Sequence, residues 1–586
     1  MYLKQTKNAK TGRISLSMVH GYRDKERGHT RSKTIKTFGY VDVLEKTYPD
    51  PIAHFTKVVE EHNAKAKQSE AEYTIIAKKG QQLPFGVRKR KNLGYAPIMK
   101  IFYELGLDRF LQNRRIRDSK IKAPTNAIMK LLVISQILEH CSKKQAFENR
   151  SRYFDFEKED AFSLMDIYRS LSHFATLEKD IQLLIHDRIS KQYGRQLELI
   201  YYDVTNYFFE IDMEDDLRKK GVCKSHTPNP IVQFGMAMDS EGLPISYEVF
   251  AGNESEKLHL RPVMLEIKEK YADSKVIAVA DSAQNTGNNI YYLDKGKQGY
   301  VFSQSIRGGS KDFKAYVVNE DGYVWQGEEY KRKSRICRRE IMVDFKKPDG
   351  KTCKKKVFVD QRQIVFYSEK YAVRARAKRE VAILKAQKIA NNPSAYTRAT
   401  SYGALKYVKN VQVDKQTGEV KQAGGTPLLD YDAIREEEMY DGYYCIVTNL
   451  FDEGKDKGRF TDEKIIDIYR GLWRIEDSFR VTKSDLETRP IRVSREDRIK
   501  AHFLICFISL VVLRLIQKET GGIYSAASLI DTMKNISCTH ETANLFLFDF
   551  RNEISDSLGK AFDIDLTRER LTRAEIKNIL AETKIS

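Results

Sequence analysis

The clearest hydrophobic pattern in the chain covers Ile465 to Lys483, with the sequence IIDIYRGLWRIEDSFRVTK. Apolar residues recur there at intervals of three and four, which places one stripe of side chains on the buried side of a helix. The pattern therefore predicts one long helix. Tyr469, Glu476 and Lys483 are spaced seven apart, so they stack nearly in line beside the stripe. An amphipathic helix with a solvated charged face is the simpler interpretation of this stretch alone.

Two short hydrophobic runs earlier in the chain end in an aspartate. LELIYYD closes on Asp203, and SKVIAVAD closes on Asp281. Both runs are rich in β-branched or aromatic residues and are bounded by polar residues, which is typical of buried strands. Open α/β sheets place their functional groups at strand ends. The two carboxylates are therefore candidates for one site.

Changes in periodicity predict several structural units, as expected for a chain of 586 residues. Short alternating runs, then helical spacing, then strands around a helix indicate a multidomain α/β protein with a mixed sheet. The expected units are a small antiparallel β unit (1–50), a helical unit expected to bind DNA (51–195), the first part of the core (196–306), a mainly β basic insertion (307–438), the second part of the core (439–520) and a helical C-terminal unit (521–586).

The charge balance favours a polyanionic partner. Lys and Arg exceed Asp and Glu by 101 to 81, a net charge of +20. Nucleic acid is the first candidate, because each phosphate that a cation neutralises releases condensed counterions. A basic protein without such a partner is the simpler alternative. The cations of the helical unit expected to grip DNA are Lys120, Lys122, Lys143 and Lys144, whereas the run Arg88 to Lys91 is interpreted as a solvated linker.

Cysteine usage and hydropathy indicate the compartment. The seven cysteines are scattered without CxxC spacing, which argues against a structural zinc site and for a reducing environment. The N-terminus lacks the apolar segment of a signal peptide. The most hydrophobic run, Phe503 to Leu513, is too short to span a bilayer and predicts a core helix. We therefore expect a cytoplasmic protein with no membrane partner.

Asp203, Asp281 and Glu476 form a set of carboxylates able to hold two divalent cations through oxygen ligands. Magnesium or manganese bound in this way activates a water or sugar hydroxyl and stabilises the leaving oxygen of a phosphodiester. Two other interpretations stay open at this point: glycoside hydrolysis by an acid and nucleophile pair, and carboxylates with no chemistry. The surrounding cations fit a nucleic acid better than a sugar.

From about Leu197 to Ile516 the sequence resembles the DDE transposases of bacterial insertion sequences, in the segments YYDVTNYFF, VIAVADSAQN, DGYYCIVTN and YRGLWRIEDSFRVTKSDLETRP. The resemblance implies a ribonuclease-H-like core that a β-strand insertion interrupts before the final glutamate. It implies Asp203, Asp281 and Glu476 as the metal-binding triad for two magnesium or manganese ions. It further implies double-stranded DNA, both element ends and target, bound by a homodimer at the nucleoid of a bacterial cytoplasm.

The family's helix motif reads Tyr, two residues, Arg, three residues, Glu, six residues, Lys. Tyr469, Glu476 and Lys483 match it in register, but Leu472 stands at the Arg position. Arg470 and Arg474 lie nearby and are expected to point away from the core. The sequence leaves open whether either of them reaches the phosphate that the family's arginine contacts.

Trp325, one of only two tryptophans, lies in the predicted insertion. In the resembling family such insertions help to hold distorted DNA, and an indole is a good stacking surface for an extruded base. A tryptophan buried in a β-strand is the favoured alternative.

The implied reaction is hydrolysis at the element's ends, which frees a 3′-hydroxyl, followed by in-line attack of that hydroxyl on target DNA. A metal-dependent nuclease of the same fold that cuts without joining is the alternative. A non-enzymatic DNA-binding descendant would be expected to lack one of the three acids, and all three are present.

Overall fold

The fold is that of a computed structural model, which describes residues 1–8, 11–23, 30–68, 80, 82–156, 161–221, 228–271, 275–398, 400–414, 417–541 and 544–584. Internal contacts divide the chain into two compact units, Met1–Leu83 and Pro84–Ser586. The finer division predicted from the sequence stays a prediction.

The first unit contains a three-stranded antiparallel sheet in the order β1, β2, β3. This confirms the small antiparallel sheet expected at the N-terminus. Its elements are β1 (Tyr2–Lys7), β2 (Ile14–Arg23), β3 (Thr30–Tyr40), α1 (Val41–Leu44) and α2 (Pro51–Gln68).

The second unit begins with a short strand and six helices. The run Arg88 to Lys91, interpreted above as a linker, instead ends in this strand, because Arg90 and Lys91 pair with a strand near the C-terminus. The elements are β4 (Arg90–Asn92), α3 (Ala96–Glu104), α4 (Leu107–Arg117), α5 (Thr125–Leu138), α6 (Lys143–Asn149), α7 (Leu164–Thr176) and α8 (Glu178–Tyr193).

The α/β core follows. Its hydrophobic runs form strands at the predicted places, with helices between them. The elements are β5 (Leu199–Phe208), β6 (Ile231–Met238), β7 (Pro244–Ala251), α9 (Leu260–Lys270), β8 (Ile277–Ala280), α10 (Gly287–Lys295) and β9 (Gly299–Ser303).

The segment 307–438, predicted as a mainly β insertion, contains a long hairpin and a long helix. Its elements are α11 (Lys311–Val318), β10 (Val324–Gln326), β11 (Tyr330–Lys346), β12 (Thr352–Tyr367), α12 (Glu369–Asn391), β13 (Val408–Lys409), β14 (Val411–Val413), β15 (Val420–Gln422), β16 (Leu428–Leu429) and α13 (Tyr431–Glu438). The hairpin does not form a sheet of its own. It extends the core sheet, because β12 pairs with β17 (Tyr443–Thr448), the next strand of the core.

The core is thus one mixed sheet of nine strands, in the order β10, β11, β12, β17, β9, β8, β5, β6, β7. β8 lies parallel to both β5 and β9, and the other neighbours are antiparallel. This confirms a multidomain α/β chain with a large mixed sheet. Alternation along β5 sends Ile200, Tyr202 and Val204 into the hydrophobic core beneath α9 and α10, and sends Tyr201 and Tyr207 into the core on the opposite face.

The helix predicted from Ile465 to Lys483 is wrong as a single element. The chain forms α14 (Asp462–Arg470), a turn at Gly471 and Leu472, α15 (Trp473–Arg480) and a π-helical turn, Val481–Asp485. The predicted stripe is nevertheless buried, since Ile465, Leu472, Ile475 and Phe479 all belong to the core. The predicted buried positions are confirmed, and the prediction of one continuous helix is wrong.

The next helix, α16 (Glu496–Glu519), crosses the centre of the unit. It is the one helix of the described residues that is long and apolar enough to cross a membrane, but 89% of its apolar window is buried inside the protein. The core helix predicted around Phe503 to Leu513 is therefore confirmed.

The C-terminal unit, predicted to be helical, contains helices and strands. Its elements are α17 (Ala526–Asn535), β18 (Ser537–His540), β19 (Leu545–Phe548), α18 (Glu553–Phe562), β20 (Arg570–Thr572) and α19 (Arg573–Glu582). The three strands form a four-stranded antiparallel sheet with β4, in the order β20, β19, β18, β4. The prediction was wrong because strands of three and four residues leave too short a periodic pattern to detect beside helices.

Candidate active site

Asp203 and Asp281 lie side by side on neighbouring parallel strands. The register of β5 and β8 pairs Ile200 with Ala278 and Tyr201 with Val279. When this register is continued by two residues along both strands, Asp203 lies next to Asp281. Neighbouring strands are about 4.8 Å apart and residues in register point to the same face. The two carboxylates therefore share one face of the sheet.

The two aspartates are held differently by their local backbone. Asp281 directly follows β8, and its carboxylate accepts a hydrogen bond of 2.9 Å from the amide of Ala283. The sequence suggested that Asp203 ends its strand. It does not, because β5 continues to Phe208 in antiparallel pairing with β6. Its Oδ1 accepts from the amide of Val204 at 2.7 Å. Both carboxylates are half-buried.

The face of β5 that carries Asp203 is turned towards α14, α15 and the π-helical turn. Three residues of alternating position on β5 contact that segment: the Tyr201 hydroxyl donates to the carbonyl of Ile468 at 3.0 Å, the Thr205 hydroxyl accepts from Lys483, and the Tyr207 hydroxyl lies 2.8 Å from that of Thr482. Asp203 lies between Tyr201 and Thr205 and shares their face. It therefore faces the part of the helical segment between Ile468 and Lys483, which contains Glu476.

The break in the helix lies directly against β5. A Cβ at Gly471 would lie 2.1 Å from the Tyr201 hydroxyl, so only glycine allows the strand and the turn to approach this closely. The Leu472 amide donates to the Tyr469 carbonyl, three residues back, rather than to the carbonyl four residues back. The Tyr201 hydroxyl contributes a bond to the Ile468 carbonyl at that turn. Tyr469 and Glu476 consequently sit on two short helices packed over one strand.

Glu476 is exposed on the first turn of α15. Among the residues that the structure describes, neither Glu476 nor Asp281 forms an ion pair with a lysine or arginine, although ion pairs are frequent elsewhere on this surface. No three His, Cys, Asp or Glu side chains of the described part converge closely enough to form a metal-binding group. The register therefore places the two aspartates on neighbouring strands, and in the described part of the chain Glu476 does not form a group of three carboxylates with them.

Tyr469 links α14 to the strands beside Asp281. Its hydroxyl lies 2.9 Å from the Tyr444 hydroxyl of β17. Burial raises the pKa of Tyr469 well above its usual value, and the nearby hydroxyl of Tyr444 and the carboxylate of Asp281 raise that pKa further, whereas Ser303 at the end of β9 lowers it. Tyr469 is thus a neutral hydroxyl next to the aspartate pair at any physiological pH.

Lys483 lies in the π-helical turn and contacts β5 beyond Asp203. Its ammonium donates to the hydroxyl of Thr205 and lies 5.5 Å from the centre of the Tyr207 ring. Thr205 is two residues past Asp203, which corresponds to roughly 6.6 Å along the strand. The π-helical turn carries Lys483 onto the strand. A cation is therefore anchored on the same face as the aspartates, one step further along β5.

The two arginines near Leu472, which stands at the Arg position of the motif, contact different parts of the protein. Arg474 contacts Gly471 and Gly242, the latter in the turn between β6 and β7, and its charge lowers the pKa of Tyr201, which burial otherwise raises. Arg470 lies 5.0 Å above the ring of Tyr330, where β11 begins. Leu472 itself is buried in the core. Arg470 is exposed and Arg474 is half-buried, and the expectation that both point away from the core stays a prediction.

Trp325 lies in the edge strand β10, as the alternative interpretation required, but its side chain is 57% exposed and not buried. It pairs with Lys331, whose ammonium lies over the rings of Tyr323 and Tyr367. Tyr323 packs against the core on the face away from the aspartates. Trp325 is therefore accessible, but on the face of the sheet opposite to Asp203 and Asp281.

The long hairpin grips the start of α14. Asp462, at 7% exposure, accepts from Arg332 at 2.7 Å, from Arg362 at 2.5 Å and from Ser334 at 2.8 Å. Two guanidinium groups around one buried carboxylate satisfy its oxygens and fix the helix terminus to β11 and β12. The insertion therefore positions the helix that precedes Glu476.

Of the four lysines expected to bind DNA, Lys143 is not accessible to DNA. It is buried, and its ammonium lies 3.2 Å from Nδ1 of His502. Lys120, Lys122 and Lys144 are exposed. Helical spacing could not distinguish them, because Lys143 is buried by contact with α16, a distant part of the sequence.

Several residues that shape the site were not predicted from the sequence. Tyr201, Thr205 and Ser303 bring hydroxyl groups to the face of the aspartates and contact the motif residues. The alternation Tyr201, Asp203, Thr205, Tyr207 along β5 is the signal that could have identified two of them, because these four polar or phenolic side chains share one face of a buried strand.

Two segments of the chain match known protein families. Residues 3–73 match the N-terminal domain of IS1634 family transposases, and residues 232–512 match the transposase DDE domain. The second match includes Asp281 and Glu476 and begins after Asp203. The putative transposase for insertion sequence element IS4SA from Synechocystis sp. (strain ATCC 27184 / PCC 6803 / Kazusa) is 35% identical over 80 residues, which are 13% of this chain and 24% of that protein. The chain thus spans about a quarter of the length of that curated relative.

Two solved structures are similar at low identity. A piggyBac transposase synaptic complex with hairpin DNA has a TM-score of 0.37 and 9% identity over 79% of this chain and 77% of that one. A Mos1 transposase paired-end complex with the left transposon end has a TM-score of 0.14 and 11% identity over 44% of this chain and 70% of that one. TM-scores below 0.5 give these likenesses no weight for the fold.

The two family matches lie in the order expected of an insertion-sequence transposase. The second match contains Asp281 and the motif helices with Glu476. The chain belongs to the DDE transposases of insertion sequences.

Proposed function

We propose that this protein is a transposase that cuts at the ends of an insertion-sequence element and joins the freed 3′-hydroxyls to target DNA. The observation that carries the proposal is the pair Asp203 and Asp281, set side by side on one face of the sheet and covered by the helices that bear Glu476. A carboxylate pair of this kind, in a strongly basic protein, suits chemistry on a polyanion.

We further propose that the core has the ribonuclease-H-like arrangement. Three antiparallel strands, β5 to β7, are followed by β8 and β9, which run parallel to β5, and the spatial order is β7, β6, β5, β8, β9. The long hairpin enters between β9 and β17, before the helices with Glu476. This position of the hairpin supports the interruption before the final glutamate that the resemblance implies.

Family membership implies dependence on a divalent metal ion. Asp203 and Asp281 fit such an ion, because two neighbouring carboxylates provide the oxygen ligands that magnesium and manganese prefer. We propose two magnesium or manganese ions, with Glu476 completing the set of ligands. When bound, such ions lower the pKa of an attacking water or hydroxyl and stabilise the leaving oxygen.

The chain's own cations and rings would position the DNA. Lys483, anchored on Thr205, is placed to contact a phosphate one or two nucleotides from the scissile bond. Tyr469 orients its hydroxyl next to Asp281, and Arg470 and Arg474 offer further phosphate contacts on either side of the turn. Trp325 is proposed as a stacking surface for an extruded base where DNA passes the edge of the sheet.

The proposed partners are double-stranded DNA at the element ends and at the target. We propose that a homodimer forms on DNA, since two ends must be cut and joined together. The proposed location is the bacterial cytoplasm, in association with the nucleoid. The net charge of +20 supports binding to a polyanion.

The second candidate is a nuclease of the same fold that cuts without joining. Purified protein, a labelled element end, magnesium and a supercoiled plasmid separate the two. A transposase yields labelled end joined covalently to plasmid, whereas a nuclease yields only shortened labelled strands. Absence of both products with a full set of magnesium and manganese concentrations would overturn the proposed function.

A further inference from the structure

A second basic feature lies beyond Lys483, where β5 ends. A cleft of about 670 Å³ is lined there by the end of β5, the segment that follows the π-helical turn, and the first turns of α7 and α16. Its aromatic and basic lining includes Phe208, Phe209, Tyr168, Arg489, Arg492 and Arg498. None of them belongs to the aspartate pair or to the helix motif.

The guanidinium groups in the cleft are held on aromatic rings. Arg489 lies 3.8 Å from the centre of the Phe208 ring, and Arg498 lies 5.0 Å from that of Tyr168. A ring beneath a guanidinium fixes its plane while leaving the other face and the N–H edge available. The arginines are therefore pre-oriented, with one surface for stacking and one edge for a phosphate.

These arginines are not neutralised by acids. Among the described residues, Arg489, Arg492 and Arg498 form no ion pair with a carboxylate, in contrast with Arg495 of the same segment, which binds Asp497 at 2.9 Å. The buried ammonium of Lys143, behind Arg492 and Pro490, also has no carboxylate partner in the described part of the chain. The Nε of Arg498 is buried without a hydrogen-bond partner. The lining of the cleft thus contains three arginines without an ion pair in the described residues, besides Arg218, which pairs with Asp215, and a single acid, Glu210.

The cleft lies at the end of the strand that carries Asp203. Asp203, Thr205 with its Lys483, and Phe208 follow one another along β5. Phe208 is the fifth residue beyond Asp203, which corresponds to roughly 17 Å along a strand. Its side chain points to the other face of β5, whereas Phe209 packs in the core on the face of Asp203. A DNA strand that passes the aspartates and Lys483 in this direction reaches the cleft a few nucleotides later.

We infer that this cleft binds unpaired nucleotides of a DNA strand that leaves the active site. Its volume is that of a small-ligand pocket, so it accommodates one or two nucleotides and not a duplex. Unstacked bases stack on aromatic rings or guanidinium planes, and single-strand sites combine such surfaces with a basic groove. The inference deepens the proposed function, on which it rests, by assigning a site to single-stranded DNA next to the cut.

The test compares binding of a single strand and a duplex without any divalent metal. The variant Arg489→Gln/Arg492→Gln is matched with Arg495→Gln, and the probes are a labelled oligothymidylate of about eight nucleotides and a blunt element-end duplex. We expect the double variant to bind oligothymidylate roughly tenfold more weakly, with a salt slope lower by about 1.4 for two lost phosphate contacts. Duplex affinity should change less than about twofold, and Arg495→Gln should match the parent on both probes.

A second variant separates stacking from charge. Arg489→Lys keeps the charge but loses the planar group on Phe208, so oligothymidylate affinity should fall several-fold with an unchanged salt slope. Equal losses on duplex and single strand, or no loss in the double variant, would overturn the inference. Because no cleavage is measured, a protein that binds oligothymidylate as expected but neither cuts nor joins DNA would refute the proposed function and leave the cleft assignment standing.

Discussion

At the scale of single residues, Lys483 is the cation that the structure ties most directly to the aspartates. Replacing it with alanine removes one proposed phosphate contact and leaves the carboxylates in place. We expect weaker binding of specific and nonspecific duplex alike, with a salt slope lower by about one. Affinity for an end duplex across a salt series measures this. Lys464→Ala, on the exposed side of α14, is the control, and a slope unchanged in Lys483→Ala would remove this residue from the DNA contacts.

Trp325 is exposed, although a buried strand position was the favoured expectation from the sequence. Its exposure on an edge strand makes a stacking role available, although it lies on the face away from the aspartates. If it stacks on an extruded base, Trp325→Ala should lower cleavage of intact ends, by an amount equivalent to about 1–3 kcal/mol, but not cleavage of ends with an abasic position near the cut. Tyr402→Ala, an exposed aromatic residue of the same insertion, should cleave both normally. Equal losses on both substrates would refute stacking by Trp325.

His502 predicts a specific acid sensitivity. Its Nε2 donates to the Thr488 carbonyl at 2.9 Å, its Nδ1 accepts from Lys143 at 3.2 Å, and the Cys506 thiol lies 3.7 Å away. Burial and then the charge of Lys143 lower the pKa of His502 to about 3. The folded protein thus keeps this ring neutral while the unfolded chain protonates it near pH 6.5. The stabilisation is complete above about pH 6.5 and is lost progressively as the pH falls towards 3.

His502→Gln removes this titration. The free energy of unfolding of the parent should fall relative to that of the variant by at most about 1.4 kcal/mol for each pH unit between 6.5 and 4. Denaturant unfolding of both proteins across this range provides the measurement. Parallel pH profiles would contradict the neutral ring.

At the scale of elements, the turn between α14 and α15 is the point where strand and helices meet. Gly471→Ala places a Cβ 2.1 Å from the Tyr201 hydroxyl, so α15 or β5 must shift. Overpacking of this kind costs roughly 1–3 kcal/mol, and displacement of Glu476 by about 1 Å should lower the cleavage rate about a hundredfold. Gly308→Ala, whose Cβ meets only the Ser305 hydroxyl at 3.7 Å, should remain active and equally stable. Normal cleavage by Gly471→Ala would show that the close approach is not required.

The same elements show how far the sequence could predict the structure. The strands around Asp203 and Asp281 are predictable, because β-branched and aromatic runs between polar residues have few other buried conformations. The buried stripe of Ile465 to Phe479 is predictable for the same reason. The break within it is not, because it depends on Tyr201, which precedes Gly471 by 270 residues in sequence and meets it only in the fold.

Pairing between distant strands also exceeded what the sequence could predict. The long hairpin β11–β12 was recognised as β structure, but its attachment to β17 depends on register rather than on local pattern. The burial of Lys143 against α16 is a further case, since nothing in its own helix distinguishes it from the exposed Lys144. Within the site, the sequence identified the two strands that carry the aspartates, although Asp203 lies inside its strand and not at its end. The position of Ser303 beside Tyr469 depends on sheet pairing.

At the scale of the whole molecule, the nine-stranded sheet joins the insertion to the core. Arg332 and Arg362 of the hairpin bind Asp462 at the start of α14, so direct hydrogen bonds connect the basic insertion to the helices over the aspartates. The cations of Lys483 and of the arginine cleft follow the same strand as Asp203. One DNA path can therefore follow β5 from the carboxylates, past Lys483, to the cleft at the end of the strand.

The central claim is that Asp203, Asp281 and Glu476 act together in cutting and joining DNA. The most direct measurement is the rate of end cleavage and of joining to plasmid at saturating protein, for the parent and for Asp203→Asn, Asp281→Asn and Glu476→Gln, with the exposed Glu453→Gln as control. Loss of a metal ligand removes several kcal/mol of transition-state stabilisation, so each triad variant should lose roughly a thousandfold or more in both rates while binding the end duplex nearly as tightly as the parent. Near-normal rates in any one of the three, with Glu453→Gln also normal, would contradict the assignment of that carboxylate and with it the account of this active site.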